Sequence, residues 1–565
     1  MADDLAKKIL QRFGDIRSMK QVWNGHYQDV KELVRCDTTD FNRKVVPGYR
    51  LYDGVYDGTA INANEELASG LNSSLTNPSD QWFELGCESG PLTKLTTYGT
   101  YLRVDSGDAK ELISDSVNGD PASLAWLELV SDIIYGAYSR PDSNFNPSIH
   151  ESYLDLGSFG TQVLNQEWSY ETGNVLFKNF PLAQCYFMES NTGQIDTVWR
   201  EFEWTGRQVM QEFGDSVPPK MSEAITRTKG EDRMFKILHH ICPRKDQKYG
   251  LVGAKNMKFA SYYVAMDTSE TITESGYTSL PYHVSRWVKL SGETYGRGPA
   301  MKCLPDIKVL NAMEKVLLKA GQKAVDPPMV VPDDGFMLPI KTSPGSINFK
   351  ESTNPDLRIE FLEFKGDVKF GLEQSQQKRD YIMKCFYSEW LKMEKENKEM
   401  TAFEVADRRD EKLRMMAPML GRQQTELLGP MIARTYGLLS RMGQIPPAPP
   451  ALQKKNLKII YISPAARAQH GVKGQRVSQF MQDMIPIAQL DQSVMDAVDM
   501  DKLTQIYAGI RGVPRVVLRS QKDIMAIRQQ RQKVQAMQQA AAVAEPASNA
   551  VKNIAQARQA GQSPQ

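Results

Sequence analysis

The chain has 565 residues, of which 41% are hydrophobic and 24% charged, the composition of a folded globular protein too long for a single core, so about two to four subdomains are expected. Its 69 Lys and Arg against 68 Asp and Glu leave a formal charge of +1, which argues against gripping nucleic acid over the whole surface but not against letting DNA slide past. No apolar run approaches a membrane span, Met1 to Leu10 lacks the features of a signal peptide, and six scattered cysteines without a CxxC pair indicate reduced thiols, so a cytoplasmic chain is expected.

Helical spacing of Trp23, Tyr27, Val30 and Val34 predicts a helix from Ala2 to Asp37, followed by a broken polar stretch from Asn42 to Gly58. A second helix, Thr59 to Leu75, carries Ala63, Leu67, Leu71 and Leu75 on one face and is closed by Asn77-Pro78. Gln81 to Leu85 reads as a strand entering a core. Leu124 to Tyr138 and Ile149 to Trp168 read as apolar helices, the second with Gly157 and Gly160 as points of close packing.

Short strands are expected from Asn174 to Trp204, where Val198, Arg200, Phe202 and Trp204 alternate. Thr205 and Gln208 form a capping box for a helix through Val209, Met210 and Phe213, which Gly214 ends ahead of Pro218-Pro219. Phe235 to Trp287 is strand-rich, notably Lys258 to Met266 and Tyr282 to Lys289, and completes a mixed α+β body.

Pro299 to Thr401 reads as a helix, a Pro/Gly-rich excursion and a second helix. In the first, Pro305-Asp306-Ile307 opens the run, Val309, Met313, Val316 and Ala320 form the stripe, and Gly321 stops it. Prolines and glycines from Val325 to Gly371 leave no long helix, only short β-like runs such as Leu357 to Phe364. The second helix, Leu372 to Glu396, carries Met383, Phe386, Tyr387, Trp390 and Leu391. At about 24 Å and about 36 Å, from a rise of roughly 1.5 Å per residue, the two helices match an antiparallel stalk. Their wide stripes suggest neighbours from other copies, although periodicity alone favours an ordinary helical hairpin inside a large globular protein.

A charged loop, Glu394 to Met400, leads to a capping box of Thr401 and Glu404, then to helices from Ala402 to Met416 and from Gln423 to Met442, the latter closed by Gly443. The second of these presents Leu428, Met431, Ile432, Thr435, Leu439 and Met442 on one face. Ile445 to Pro450 is a stiff linker and the clearest boundary. Beyond it come a strand, Lys458 to Ile462, helices from Pro464 to Ala508, a basic stretch from Lys502 to Lys533 and a Gln/Ala-rich tail expected to fray into disorder. The basic helix suits either nucleic acid or a helix bundle between subunits.

Candidate chemistry is sparse. His239-His240-x-Cys242 offers metal-ligand types, but neighbouring strand residues face opposite ways, and a core or surface position fits better. Tyr295-Gly296-Arg297-Gly298-Pro299 lacks the spacing and the lysine of a phosphate loop, which leaves a tight turn into a helix. No GxSxG elbow or histidine triad is present, so no catalytic, metal or cofactor site and no enzyme activity is expected.

The wording of several stretches is more specific. Glu274-Ser275-Gly276-Tyr277, Pro281, Arg286-Trp287, Tyr295 to Pro299, Asp306 and Leu310-Asn311 resemble the head-to-tail connector, or portal, family of short-tailed phages (podoviruses). Leu67 to Leu71, Trp82-Phe83, Met400 to Val405, Arg408, Glu411, Pro418, Glu426, Pro430, Arg434 and the proline linker continue the resemblance over nearly the whole chain. It departs in lacking a proline after the Trp23 to Tyr27 segment and in its Ala/Gln-rich tail.

The resemblance implies a predominantly helical α+β portal fold assembled as a ring, usually of twelve copies, around a central channel at one capsid vertex. It implies a wing over 1–298, stem helices over 299–324 and 372–395, a clip over 325–371, a tunnel loop over 396–401, wing helices over 402–445, a crown base over 446–520 and a crown helix and tail over 521–565. Implied partners are the major capsid protein, scaffolding protein, terminase large subunit, tail adaptor or tail tube, internal core or ejection proteins, and double-stranded DNA passing without sequence preference. Assembly in the host cytoplasm and residence in the virion follow. Lys392, Glu394, Lys395, Glu396 and Lys398 are the candidates for the DNA channel, and Arg286, Trp287, Tyr295, Gly296, Arg297, Gly298, Pro299, Thr401 and Glu404 are motif positions. The alternative is another ring-forming head-tail or tail component without a packaging role.

Overall fold

The computed structural model describes residues 2–36, 41, 54–87, 121–227, 230–247, 253–325, 329–330, 360–361, 368–388, 416–453, 456–462 and 524–536, with isolated positions between 480 and 504. In chain order its principal elements are α1 (Ala2–Leu33), α2 (Thr59–Leu75), β1 (Phe83–Cys87), α3 (Pro121–Ser139), α4 (Phe145–Phe159), β2 (Thr161–Ser169), β3 (Asn174–Asn179), β4 (Cys185–Glu189) and β5 (Ile195–Thr205). Then come α5 (Gly206–Phe213), α6 (Pro219–Thr226), β6 (Met234–Pro243), β7 (Phe259–Ala265), β8 (Glu270–Tyr277), β9 (Tyr282–Arg286), α7 (Pro299–Val325), β10 (Met329–Val330) and β11 (Glu360–Phe361). The last are α8 (Val368–Cys385), α9 (Ala417–Gln423), a π-helical turn (Gln424–Leu428), α10 (Gly429–Arg441) and β12 (Leu457–Tyr461). No helix among the described residues is long and apolar enough to cross a membrane.

Two compact units emerge. One draws on Met1–Trp82 and Ile134–Ile445, the other on Phe83–Ile133 and Pro446–Ile462. The change at Pro446 coincides with the linker read from the prolines, whose fixed φ and missing donors stiffen it.

The first unit is built on an antiparallel five-stranded sheet in the order β4-β5-β6-β7-β8. Strand alternation sends Trp199, Leu238 and Val264 to one face, where Ala6, Ile9, Phe13 and Ile16 of α1 cover them. Phe202, Phe235, Ile237 and Ala265 face the other way, against Val209 of α5 and Met221 and Ile225 of α6. The Thr205–Gln208 capping box forms as the sequence predicts, and Gly214 ends α5 at φ +49°. His239 and His240 point to opposite faces of β6. His239 is hydrogen-bonded to Tyr282 and Ser261, while His240 stacks on Trp199 at 4.6 Å.

A three-stranded sheet, β3-β2-β9, lies under α4 and α10. Here the sequence reading fails, because Ile149 to Trp168 is not one helix. Ile149, Tyr153 and Leu156 are the buried helical stripe, but Gly160 adopts φ +73° and caps α4. Thr161 to Gln166 then run buried without alternation, as a central strand paired on both sides does. Gly157 and Gly160 are points of close packing, as expected: a Cβ on Gly157 would sit 2.2 Å from Asn64 Oδ1 of α2.

α7 begins at Pro299, so Pro305, read as the opening position, lies inside the helix. Gly321 does not stop it; α7 continues to Val325. α8 starts four residues before Leu372 and breaks at Phe386-Tyr387, where Tyr387 takes φ +59°, rather than continuing through Trp390 as one helix. The two helices pack antiparallel. Gly371 lies against Leu317, Lys378 bonds Asp306 at 2.6 Å, and Arg379 reaches Glu314 at 2.7 Å and Asp57 of the loop before α2 at 2.8 Å. Of the excursion between them, only the antiparallel pair β10-β11 lies within the described residues.

α9, the π turn and α10 replace the single helix expected from Gln423 to Met442. Leu428, Met431, Ile432, Thr435 and Leu439 are buried as read, whereas Met442 at its end is exposed. Gly443 closes the run at φ +70°. In the second unit, β1 pairs with β12 across the chain, Phe83 opposite Tyr461. The Leu85 amide donates to Ser131 Oγ at 2.9 Å, and Trp126 Nε1 donates to the Pro446 carbonyl at 3.0 Å.

Burial gives the first unit a pH dependence. Desolvation holds His239 well below its ordinary value, His240 at about 4 and His283 at about 3. All three folded values lie below the unfolded one, so the unfolded state binds more protons as pH falls from about 6.5 toward 4. Stability is therefore fully present near neutrality and lost through that window. The urea midpoint is expected to drop between about pH 7 and about pH 5, and His240→Phe, which keeps the stack on Trp199, to flatten the drop; an unchanged slope would contradict burial of the ring.

Candidate functional site

Lys392, Glu394, Lys395, Glu396 and Lys398, with Thr401 and Glu404, lie outside the described residues. The structure does define the ground from which that segment departs and to which it returns. Tyr387, just past α8, lies 5.7 Å from Trp287, centroid to centroid. Met416, just before α9, is fully buried. Arg286-Trp287 at the end of β9 thus touches Tyr387 on one side and, through Arg286, the π turn on the other.

Arg286 is only 2% exposed. Its Nη2 donates to Glu426 Oε1 at 2.7 Å, its Nε to Oε2 at 3.2 Å and its backbone N–H to Oε2 at 3.0 Å, a forked grip on one carboxylate. Nη1 also reaches Glu189 of β4, and the carbonyls of Thr294 and Gly193 take further bonds at 3.3 and 3.1 Å. Lys289 holds Glu189 at 2.6 Å, and Arg422 lies 3.4 Å from Glu426. The π turn displays Gln423 and Glu426 toward β9 together: Gln423 Nε2 donates to the Arg286 carbonyl at 3.0 Å and its Oε1 accepts from Ser285 Oγ at 2.6 Å. One guanidinium therefore ties both sheets to the helix that follows the 389–415 segment.

The loop from Tyr295 to Pro299 supports this ground from the other side. Its amides are already committed, Gly296 N–H to Thr161 Oγ1 at 2.8 Å and Arg297 N–H to the Val288 carbonyl at 2.8 Å, so it is not a phosphate cradle. A Cβ on Gly296 would lie 2.3 Å from the Gly160 carbonyl, and one on Gly298 would lie 2.8 Å from the Gly157 carbonyl. Tyr295 is buried beside Phe187, Arg297 lies over Trp23 at 5.0 Å, and Pro299, which needs no N–H partner in a first turn, opens α7.

Lys20 is a residue the sequence reading missed. It falls on the stripe that runs Ala6, Ile9, Phe13, Ile16, and a lysine in that register was the available signal. Its buried Nζ donates to the carbonyls of Leu182, Ala183 and Cys185 at 2.5, 3.2 and 2.9 Å and lies over Tyr186 at 4.4 Å. Burial draws its pKa down to about 7. Among the described residues no group of three His, Cys, Asp or Glu is placed to hold a metal ion. What this arrangement does is mechanical: it fixes the positions of helices.

Two outcomes follow. Arg286→Met strands two partly buried carboxylates and is expected to destabilise the fold by about 3–5 kcal/mol in urea titration, with much of the loss recovered by adding Glu426→Gln. Gly298→Ala, which must push backbone apart, is expected to lose about 1–3 kcal/mol, whereas Gly321→Ala, with open space around it, is expected to be neutral or stabilising.

Comparison with known proteins agrees with this scaffold-like character. The sequence profile described as "Bacteriophage head to tail connecting protein" matches residues 6–518. A "Probable portal protein" of Bordetella phage BPP-1 is 27% identical over 566 aligned positions, covering 98% of this chain and 96% of the relative. The "Portal protein" of Salmonella phage epsilon15 is 25% identical over 569 positions, with the same coverage of each chain. A match extending over nearly every element described above makes this chain a member of the bacteriophage head-to-tail connecting protein family.

Proposed function

We propose that the chain is a phage portal protein: copies of it, twelve on the resemblance, form a ring at one capsid vertex through which double-stranded DNA enters during packaging and leaves at ejection. The observation that carries this reading is the alignment with portal proteins over 98% of the chain. The paired helices support it. Val309, Val316 and Leu318 of α7, and Leu372 and Tyr381 of α8, are exposed in the single chain, with Val316 at 64%. Helices with apolar side chains on outward faces suit a cyclic assembly, in which each copy offers two different surfaces to its neighbours.

On this reading α7 and α8 are the stem, the excursion between them the clip, the 396–401 loop the tunnel loop, the α+β body with α9 and α10 the wing, and the chain after Pro446 the crown. The capsid shell, scaffolding, packaging motor, tail components and internal proteins are its partners, and assembly takes place in the host cytoplasm. ATP hydrolysis belongs to the motor. The channel holds DNA weakly, because each neutralised phosphate would add binding energy to be undone at every step of translocation. A formal charge of +1 fits that requirement. Lys392, Lys395 and Lys398 line the narrowest point, balanced by Glu394 and Glu396.

The native mass of the purified protein, with negative-stain images of the same sample, tests the ring: a closed ring near twelve copies is expected, and a compact dimer or tetramer without a channel would contradict it. Replacing Lys392, Lys395 and Lys398 with alanine is expected to change DNA packaging or retention while rings still form; loss of the ring itself would remove these lysines from the channel.

A further inference from the structure

We propose that Cys385 and Cys303 form a redox modification site at the foot of the α7–α8 pair, where a small disulfide of the glutathione type converts the two thiols into one disulfide that staples the helices.

The placement is geometric. Leu317 and Gly371 are in contact across the pair, and Cys303 and Cys385 lie fourteen residues from them along α7 and α8 respectively, in the antiparallel sense. Fourteen residues is close to four turns, so the second pair falls on the same facing surfaces as the first. The helices approach closely at the first of these pairs, since a Cβ on Gly371 would be 2.7 Å from Leu317. The two thiols are near enough for each to perturb the titration of the other, and Cys303 Sγ donates to the Ala300 carbonyl at 3.8 Å. Cys303 is fully buried and Cys385, the last residue of α8, is half-buried and reachable from solvent.

The two sulfurs are unequal, as an attacking and a resolving thiol are. The Cys303 thiol, the Tyr381 hydroxyl and the nearby Lys302 charge favour the Cys385 thiolate, whereas Cys303 keeps its proton. Cys36, Cys185 and Cys242 are all shifted upward by burial. The Cys385 thiolate attacks one sulfur of the small disulfide, whose S–S bond breaks; a mixed disulfide forms and the first small thiolate leaves and takes a proton from water. Cys303 then attacks the Cys385 sulfur and passes its proton to the second departing thiolate. Two protein thiols are oxidised and one small disulfide is reduced to two thiols. A reducing cytosol keeps the pair open, and a particle outside a cell loses that protection.

The experiment takes the full-length protein, reduces and desalts it, incubates it with oxidised glutathione, blocks free thiols and maps peptides without reduction. The Cys303–Cys385 linked peptide is expected to dominate, two hydrogens lighter than the reduced pair, and the oxidised protein to melt a few degrees higher until dithiothreitol is added. Cys303→Ala is expected to leave Cys385 as a stable glutathione adduct, and Cys385→Ala to leave Cys303 unmodified. On the unmodified protein, iodoacetamide near neutral pH is expected to label Cys385 roughly tenfold faster than Cys36 or Cys242. Accumulation of the Cys385 adduct in wild type with Cys303 free, equal labelling of Cys36 and Cys242, or no reaction at Cys385 would each overturn the proposal.

Discussion

The grip of Arg286 on Glu426 is the interaction on which the first unit's arrangement depends. A guanidinium 2% exposed must have its donors met, and they are met by carboxylates and carbonyls drawn from β4, the turn after it, the loop before α7 and the π turn. Hydrophobic contact alone does not fix direction or register. A planar fork aimed at one carboxylate does both, which is why arginine rather than lysine suits this position. Arg434 repeats the device farther along α10, donating from Nε to the Gln166 carbonyl at 3.0 Å and from Nη1 to the Ser279 carbonyl at 2.6 Å. Together the two arginines add directed polar contacts to the apolar face on which the helices that follow the 389–415 segment are buried.

Glycine sets the other coordinate. The end of α4 and the loop before α7 meet backbone to backbone at Gly157, Gly160, Gly296 and Gly298, with no room for a methyl group at these four positions. That contact determines where α7 starts, and through the Leu317–Gly371 approach it also locates α8. The thiol pair at the foot of the two helices lies where they are held closest to the anchored end.

A conduit for a moving polyanion needs a rigid wall and a weak hold. The first unit is stiffened by buried ion pairs, aromatic clusters such as Trp82, Tyr138 and Phe145, and short backbone contacts, all of them within the chain. A formal charge of +1 is compatible with a weak hold. Val309, Val316 and Leu318 of α7 and Leu372 and Tyr381 of α8 remain exposed in the single chain, outside its own core.

Much of this was legible in the amino-acid order. The α2 stripe, the Thr205–Gln208 box, the strand alternation through β5, the apolar face of α10 and the boundary at Pro446 follow from local period and local stereochemistry, which the sequence determines by itself. Where the sequence misled, neighbours decided. Ile149 to Trp168 is apolar throughout, and only pairing with β3 and β9 makes its second half a strand. Gly321 stays helical with open space around it, and a proline can sit within α7. The two glycines before Pro299 were legible as a tight turn, but which backbone they touch was not. Arg286 stands out in sequence only as a motif position and Lys20 only as a lysine on an apolar stripe, since nothing local reports that three or more carbonyls and carboxylates from distant segments converge on each. Buried charge is a property of the assembled fold, set mostly by partners between 93 and 165 positions away, and only tertiary structure supplies them.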